Sequence, residues 1–167
     1  MSRKAFTLVE LIVVLLILGI ISVVGMIAIN PYQGIRLDSA AKKVMADLDY
    51  ARNLSLATAK WYGVSFEADP GNSYRIYQTD GLTDTMIDDP SHPGQGFTVD
   101  LNNYFSGVKI QSVNLAGGAK VEFNPLGIPY NDKNGTAFGV NGVITLLFGN
   151  LTKTAQITPN TGRIFVQ

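Results

Sequence analysis

The sequence predicts an α+β chain: a long N-terminal α-helix, transmembrane in its first half, packed on a C-terminal antiparallel β-rich globular domain. Three observations carry this reading. Phe6–Ile29 holds 19 apolar side chains in 24 positions, with Glu10 as its one ionisable group. Residues 36–60 then place apolar side chains at helical spacing. From Trp61 onward the period changes to two, which is the period of a strand with one buried face. The expected divisions are 1–5, a short basic stretch; 6–29, the apolar helix; 30–60, its amphipathic continuation; and 61–167, the β-rich domain.

The apolar segment is long enough to cross a bilayer. Leu11–Ile29 has Ser22 as its only polar side chain. As a helix it spans about 28 Å, close to the ~30 Å of a hydrocarbon core. It exceeds the roughly 7–15 residue apolar core of a secretory signal, and no small-x-small cleavage site follows it. Arg3 and Lys4 precede it, so the N-terminus is expected in the cytoplasm and the domain on the other side. Glu10 does not suit a plain anchor. An ionised carboxylate at depth costs on the order of a few kcal/mol. Either it reaches water at the boundary, or it meets a positive charge.

The continuation reads as helix over 36–60. Leu37, Ala41, Val44, Leu48 and Ala51 mark one apolar face, and Lys42, Lys43, Asp47, Asp49 and Asn53 fall mostly outside it. A bend is expected around Asn30-Pro31, because proline disfavours continuation of a helix. If Pro31–Gly34 interrupts the chain, Asp38 or Ser39 serves as the new helix start. Unbroken from Phe6 to Ala59, the helix would be about 80 Å long. Its outer half would then lie in a membrane or against other subunits.

The β-rich domain opens with strands at 62–68 and 73–79, joined by an Asp69-Pro70-Gly71-Asn72 turn. Residues 80–96 read as one long loop. Further strands are expected at 97–101, 108–113, 120–123, 142–148, 153–158 and 163–166, with turns at 124–127 and 159–162. Gly135–Gly142 reads as a hairpin or loop. Tyr104, Phe105, Tyr130 and Phe138 are read as core aromatics, with a partner-facing role as the alternative.

Composition excludes much chemistry. There are no cysteines and a single histidine, His92. Disulfide scaffolds, thiolate zinc sites, iron–sulfur clusters and two-histidine metal motifs are ruled out. No catalytic constellation is present, so the chain is read as a non-enzyme with no cofactor. Asp80, Asp84, Asp88 and Asp89 match no calcium-loop spacing and are read as a solvated loop, with calcium binding left open. His92 is read as a surface residue.

Arg3-Lys4-Ala5-Phe6-Thr7-Leu8-Val9-Glu10 resembles the class III signal of type IV pilins and type II secretion pseudopilins. That signal is a basic leader, a small residue, Phe-Thr-Leu-x-Glu and an unbroken apolar helix. The resemblance implies cleavage between Ala5 and Phe6 by a prepilin peptidase and N-methylation of Phe6. It also implies that Glu10 pairs with the Phe6 amine of a neighbouring subunit, where the two charges neutralise each other inside a helical bundle. Two departures stand out: Ala5 replaces the usual Gly, and Ile27 stands where many members carry a proline.

Ala51-Arg52 with the following small and apolar residues, Phe123-Asn124-Pro125-Leu126-Gly127 and Thr161-Gly162-Arg163-Ile164 resemble the GspH/FimT-type minor pseudopilins and pilins. The implied function is a minor pseudopilin of a type II secretion system. The implied setting is the bacterial inner membrane, with the domain periplasmic and later part of a pseudopilus. The implied partners are other pilin-like subunits, the prepilin peptidase and an inner-membrane assembly platform. The alternative is a type IV minor pilin that binds DNA or a surface ligand at the filament tip. Loss of the leader leaves 11 basic and 13 acidic side chains. Phosphate contacts dominate DNA affinity, so nucleic-acid binding is expected to be weak, with Lys153 and Arg163 as its candidate contacts.

Overall fold

The computed structural model describes the backbone of residues 7–27 and 29–167, and the side chains of 7–22 and 32–167. Two helices lead the chain, α1 (Leu8–Ile27) and α2 (Ile29–Thr58). Around Asn30-Pro31, where a bend is expected, the backbone is helical: α2 runs from Ile29 through Pro31 and Gly34. Pro31 thus lies within described helix and does not end it. Asp38 and Ser39 accordingly lie inside α2 rather than at its start. The helix stops at Thr58, and Ala59 follows in the left-handed region with φ 53°.

The strands are β1 (Trp61–Glu67), β2 (Ser73–Thr79), β3 (Asp84–Met86), β4 (Asp88–Asp89), β5 (His92–Gly96) and β6 (Thr98–Asp100). A one-turn helix α3 (Leu101–Tyr104) follows. Then come β7 (Lys109–Asn114), β8 (Lys120–Phe123), β9 (Pro129–Tyr130), β10 (Gly142–Phe148), β11 (Leu151–Ile157) and β12 (Ile164–Val166). One sheet runs β3-β2-β1-β8-β9, with β6 also paired to β2. A second runs β12-β11-β10-β7, and β4-β5 form a small separate ribbon. All pairings are antiparallel.

Both main sheets pack on α2, whose buried stripe is the expected one: Leu37, Ala41, Val44, Leu48 and Ala51, joined by Ala40. Period-two burial places Tyr62, Val64 and Phe66 of β1 and Val121 and Phe123 of β8 in the same core as Ile144, Leu146 and Ile157. On the opposite face of the first sheet, Gly63 lies under the ring of Tyr77. A Cβ there would stand 2.5 Å from a ring carbon, so this strand position requires glycine.

The expected loop at 80–96 is wrong as a single loop. It contains β3, β4 and β5. Its composition, with Asp, Gly and Pro, gives no strand signal. β3 is paired by the edge of β2, where Tyr77, Gln78 and Thr79 face Met86, Thr85 and Asp84, and β4 and β5 pair with each other. The aromatics divide. Phe138 is buried and Phe105 half-buried in the core, Tyr130 is half-buried against Trp61, and Tyr104 is exposed.

Candidate assembly interface

The N-terminal helix has a defined start. Thr7 precedes α1 and its Oγ1 accepts the Glu10 N–H at 3.3 Å. Glu10 Oε2 in return accepts the Thr7 N–H and hydroxyl, each at 3.4 Å. This reciprocal capping box satisfies otherwise orphaned donors and puts a negative charge at the positive end of the helix dipole. In the isolated chain Glu10 is thus held beside the helix start.

Every described side chain of α1, residues 8–22, is exposed. A helix that is apolar all round and bare must be covered by lipid or by other helices. Among the described residues no helix is long and apolar enough to cross a membrane. The rest of the expected span, 23–29, lies outside the described side chains. Ala5 and Phe6, the expected cleavage pair, also lie outside the described residues.

The motif residues of the domain meet at one place. Arg52 Nε, on α2, donates to the carbonyl of Gly127 at 3.3 Å. Gly162 packs on both: a Cβ there would stand 2.2 Å from the Gly127 oxygen and 3.1 Å from Arg52 Nε. Asn124 Oδ1 shapes the first turn by accepting the Leu126 and Ile128 N–H groups, each at 2.9 Å. The three segments, far apart in the sequence, therefore fasten one helix to a turn from each main sheet.

Two buried carboxylates were not legible as such. Asp47 accepts the Tyr74 hydroxyl at 2.5 Å and Lys43 Nζ at 2.6 Å, locking α2 to β2. Burial first, and then the Asp47 charge, push the Tyr74 phenol well above its ordinary value, so it stays a proton donor. Glu122 is 1% exposed and accepts Tyr77 Oη at 2.9 Å, Lys120 Nζ at 3.0 Å and the Lys133 N–H at 2.6 Å. Lys120 also binds Asp132. This network ties the 131–136 loop to the outer face of the first sheet. Sequence periodicity gave no signal for it, because a charged residue in a strand reads as solvent-facing.

The remaining candidate residues are dispersed. Lys153 sits 3.8 Å from Asp38. Arg163 lies opposite Thr158, five residues further along β11 and its extension, or about 17 Å away at strand spacing. The fold does not bring these two cations together. Asp80 Oδ1 accepts the Leu82 and Thr83 N–H groups at 2.8 and 2.7 Å. Asp89 accepts the Ser91 N–H and lies 2.9 Å from His92 Nδ1, with the His92 side chain half exposed. These carboxylates are committed locally, and among the described residues no group of three or more His, Asp or Glu side chains is placed to hold a metal ion.

Residues 1–26 match the prokaryotic N-terminal methylation motif. No curated protein is similar enough to the chain to count as a match. Two crystal structures of the type IV minor pilin FimU from Pseudomonas aeruginosa share the fold. One aligns at TM-score 0.53 and 16% identity over 78% of this chain and 92% of that one. The other gives 0.54 and 15%, over 78% and 87%. The chain is therefore a type IV pilin-like protein in fold, and it carries a class III methylation signal at its N-terminus.

Proposed function

We propose that this chain is a structural subunit of a type IV pilin-like filament, cleaved between Ala5 and Phe6, methylated on Phe6 and held in the filament through its N-terminal helix. The observation that carries the reading is α1 itself: an exposed apolar helix inside a methylation motif, with Glu10 beside its start. Residues 11–29 hold the precursor in the bacterial inner membrane before assembly, with the β-rich domain on the periplasmic side. Partner helices then replace lipid around α1. The Phe6 ammonium of a neighbour competes with Thr7 for the Glu10 carboxylate and neutralises it. Prepilin peptidase and an inner-membrane assembly platform are the proposed partners in processing and extrusion.

Within this class, the Arg52, Phe123–Gly127 and Thr161–Ile164 features favour a minor pseudopilin of type II secretion. The fold likeness to the minor pilin FimU supports the alternative, a minor pilin of a type IV pilus; tip binding of DNA or a surface ligand would be its added role. Co-purification separates them: other pseudopilins in the first case, pilus subunits in the second. The class as a whole is tested by mass spectrometry and by Glu10→Ala. The mature protein should begin with methylated Phe6, and Glu10→Ala should insert in the membrane yet fail to enter filaments. A different N-terminus, or normal incorporation of the variant, contradicts the reading.

A further inference from the structure

We propose that the base of the β-rich domain rests on the lipid headgroup layer of the membrane, with the β10–β11 hairpin tip as a second membrane contact beside the helix. The inference builds on the reading of 11–29 as a membrane span. The tip lies against the start of α2. Gln33, Gly149, Asn150 and Leu151 line one shared hollow, and a Cβ on Gly149 would stand 3.4 Å from Gln33 Oε1. Gln33 is four residues past Ile29, where the apolar segment ends, which is about 6 Å along a helix. The headgroup zone of each leaflet is roughly 5–8 Å deep. A hairpin some 120 residues away in sequence is thereby held at headgroup height.

The side chains at this level suit that place. Tyr32, Ile35 and Leu151 are 69%, 62% and 42% exposed. Tyrosine is enriched at the membrane interface, and aliphatic side chains insert at the acyl boundary. Residues 28–37, 104–108 and 148–152 contain no carboxylate, and their one charged side chain is Arg36, which reaches the Ser106 carbonyl at 3.3 Å. The nearest carboxylates at its margin, Asp38 and Asp69, are paired with Lys42 at 2.7 Å and Lys109 at 3.2 Å, and Arg36 attracts lipid phosphates. Leu82, between β2 and β3, lies at the other end of β2, because α2 leads away from the base, β1 returns and β2 leads away again.

The absence of cysteine allows a clean test. Asn150→Cys and Leu82→Cys each carry one fluorophore in the full chain, reconstituted into phosphatidylcholine vesicles containing phosphatidylglycerol and a headgroup-quencher lipid. The fluorophore at 150 should be quenched at least threefold more than the one at 82, and Leu151→Asp should reduce that quenching at least twofold. Equal quenching at 150 and 82 in chain that resists carbonate extraction overturns the inference and leaves the membrane span standing. No reduction with Leu151→Asp likewise overturns it. Chain that carbonate extracts overturns the span and the inference together.

Discussion

At the scale of single residues, the informative positions are polar groups inside the core. Asp47 sits on the polar side of the helical pattern by spacing, yet it is 6% exposed, because Tyr74 and Lys43 supply its hydrogen bonds. A buried carboxylate that loses a donor keeps its desolvation cost. Tyr74→Phe should therefore cost about 1.5–3 kcal/mol in a urea titration, whereas Tyr104→Phe at an exposed position should leave the midpoint unchanged. Equal midpoints for the two variants would show that Lys43 alone satisfies Asp47. Glu122 teaches the same lesson: its burial depends on Tyr77, Lys120 and a backbone N–H from another loop. No local pattern announces partners that far apart in sequence.

At the scale of elements, the stripe of α2 and most strands were readable because each buries one face, which imposes a period of 3.6 or 2. The exceptions have physical causes. β3 to β5 exist because β2 offers an edge and because a two-strand ribbon closes through Asp89 and His92. Pro31 does not end α2, which runs on through Gly34 to Thr58. The Thr161-Gly162 turn is also an element-level device. At φ +62°, with a carbonyl oxygen 2.2 Å from any Cβ, Gly162→Ala must displace either the Gly127 turn or Arg52. The expected loss is about 2 kcal/mol or more in thermal or urea unfolding. A change of less than about 0.5 kcal/mol would mean that the two turns do not constrain each other.

At the scale of the whole molecule, stability should depend on acid in a defined direction. The Thr83 and Leu82 amides hold the Asp80 carboxyl below its ordinary value, the hydrogen bond to His92 does so for Asp89, and Lys120 does so for Asp132. A carboxyl whose folded pKa is lowered contributes fully above its unfolded pKa of about 3.9 and loses that contribution as pH falls further. The melting temperature should thus drop below about pH 4, and Asp132→Asn should flatten the drop. An acid limb identical in the variant would remove Asp132 from the linkage. The exposed apolar side chains of residues 8–22 belong to this scale too, since nothing in the folded domain covers them.

The sequence by itself determined the class of the protein. A sustained apolar run with one carboxylate, a stripe of period 3.6 and a domain of period two are local patterns, and burial of one face per element writes them directly into residue order. It also carried the signal Phe6-Thr7-Leu8-Val9-Glu10, whose recognition depends on adjacent residues. Tertiary structure decided the rest. It joined Arg52 to Gly127 and Gly162, buried Asp47 and Glu122, made strands of 84–96, and set the 149–151 hairpin beside Gln33. Most of these pair groups distant in the chain, and only the folded backbone fixes their distance.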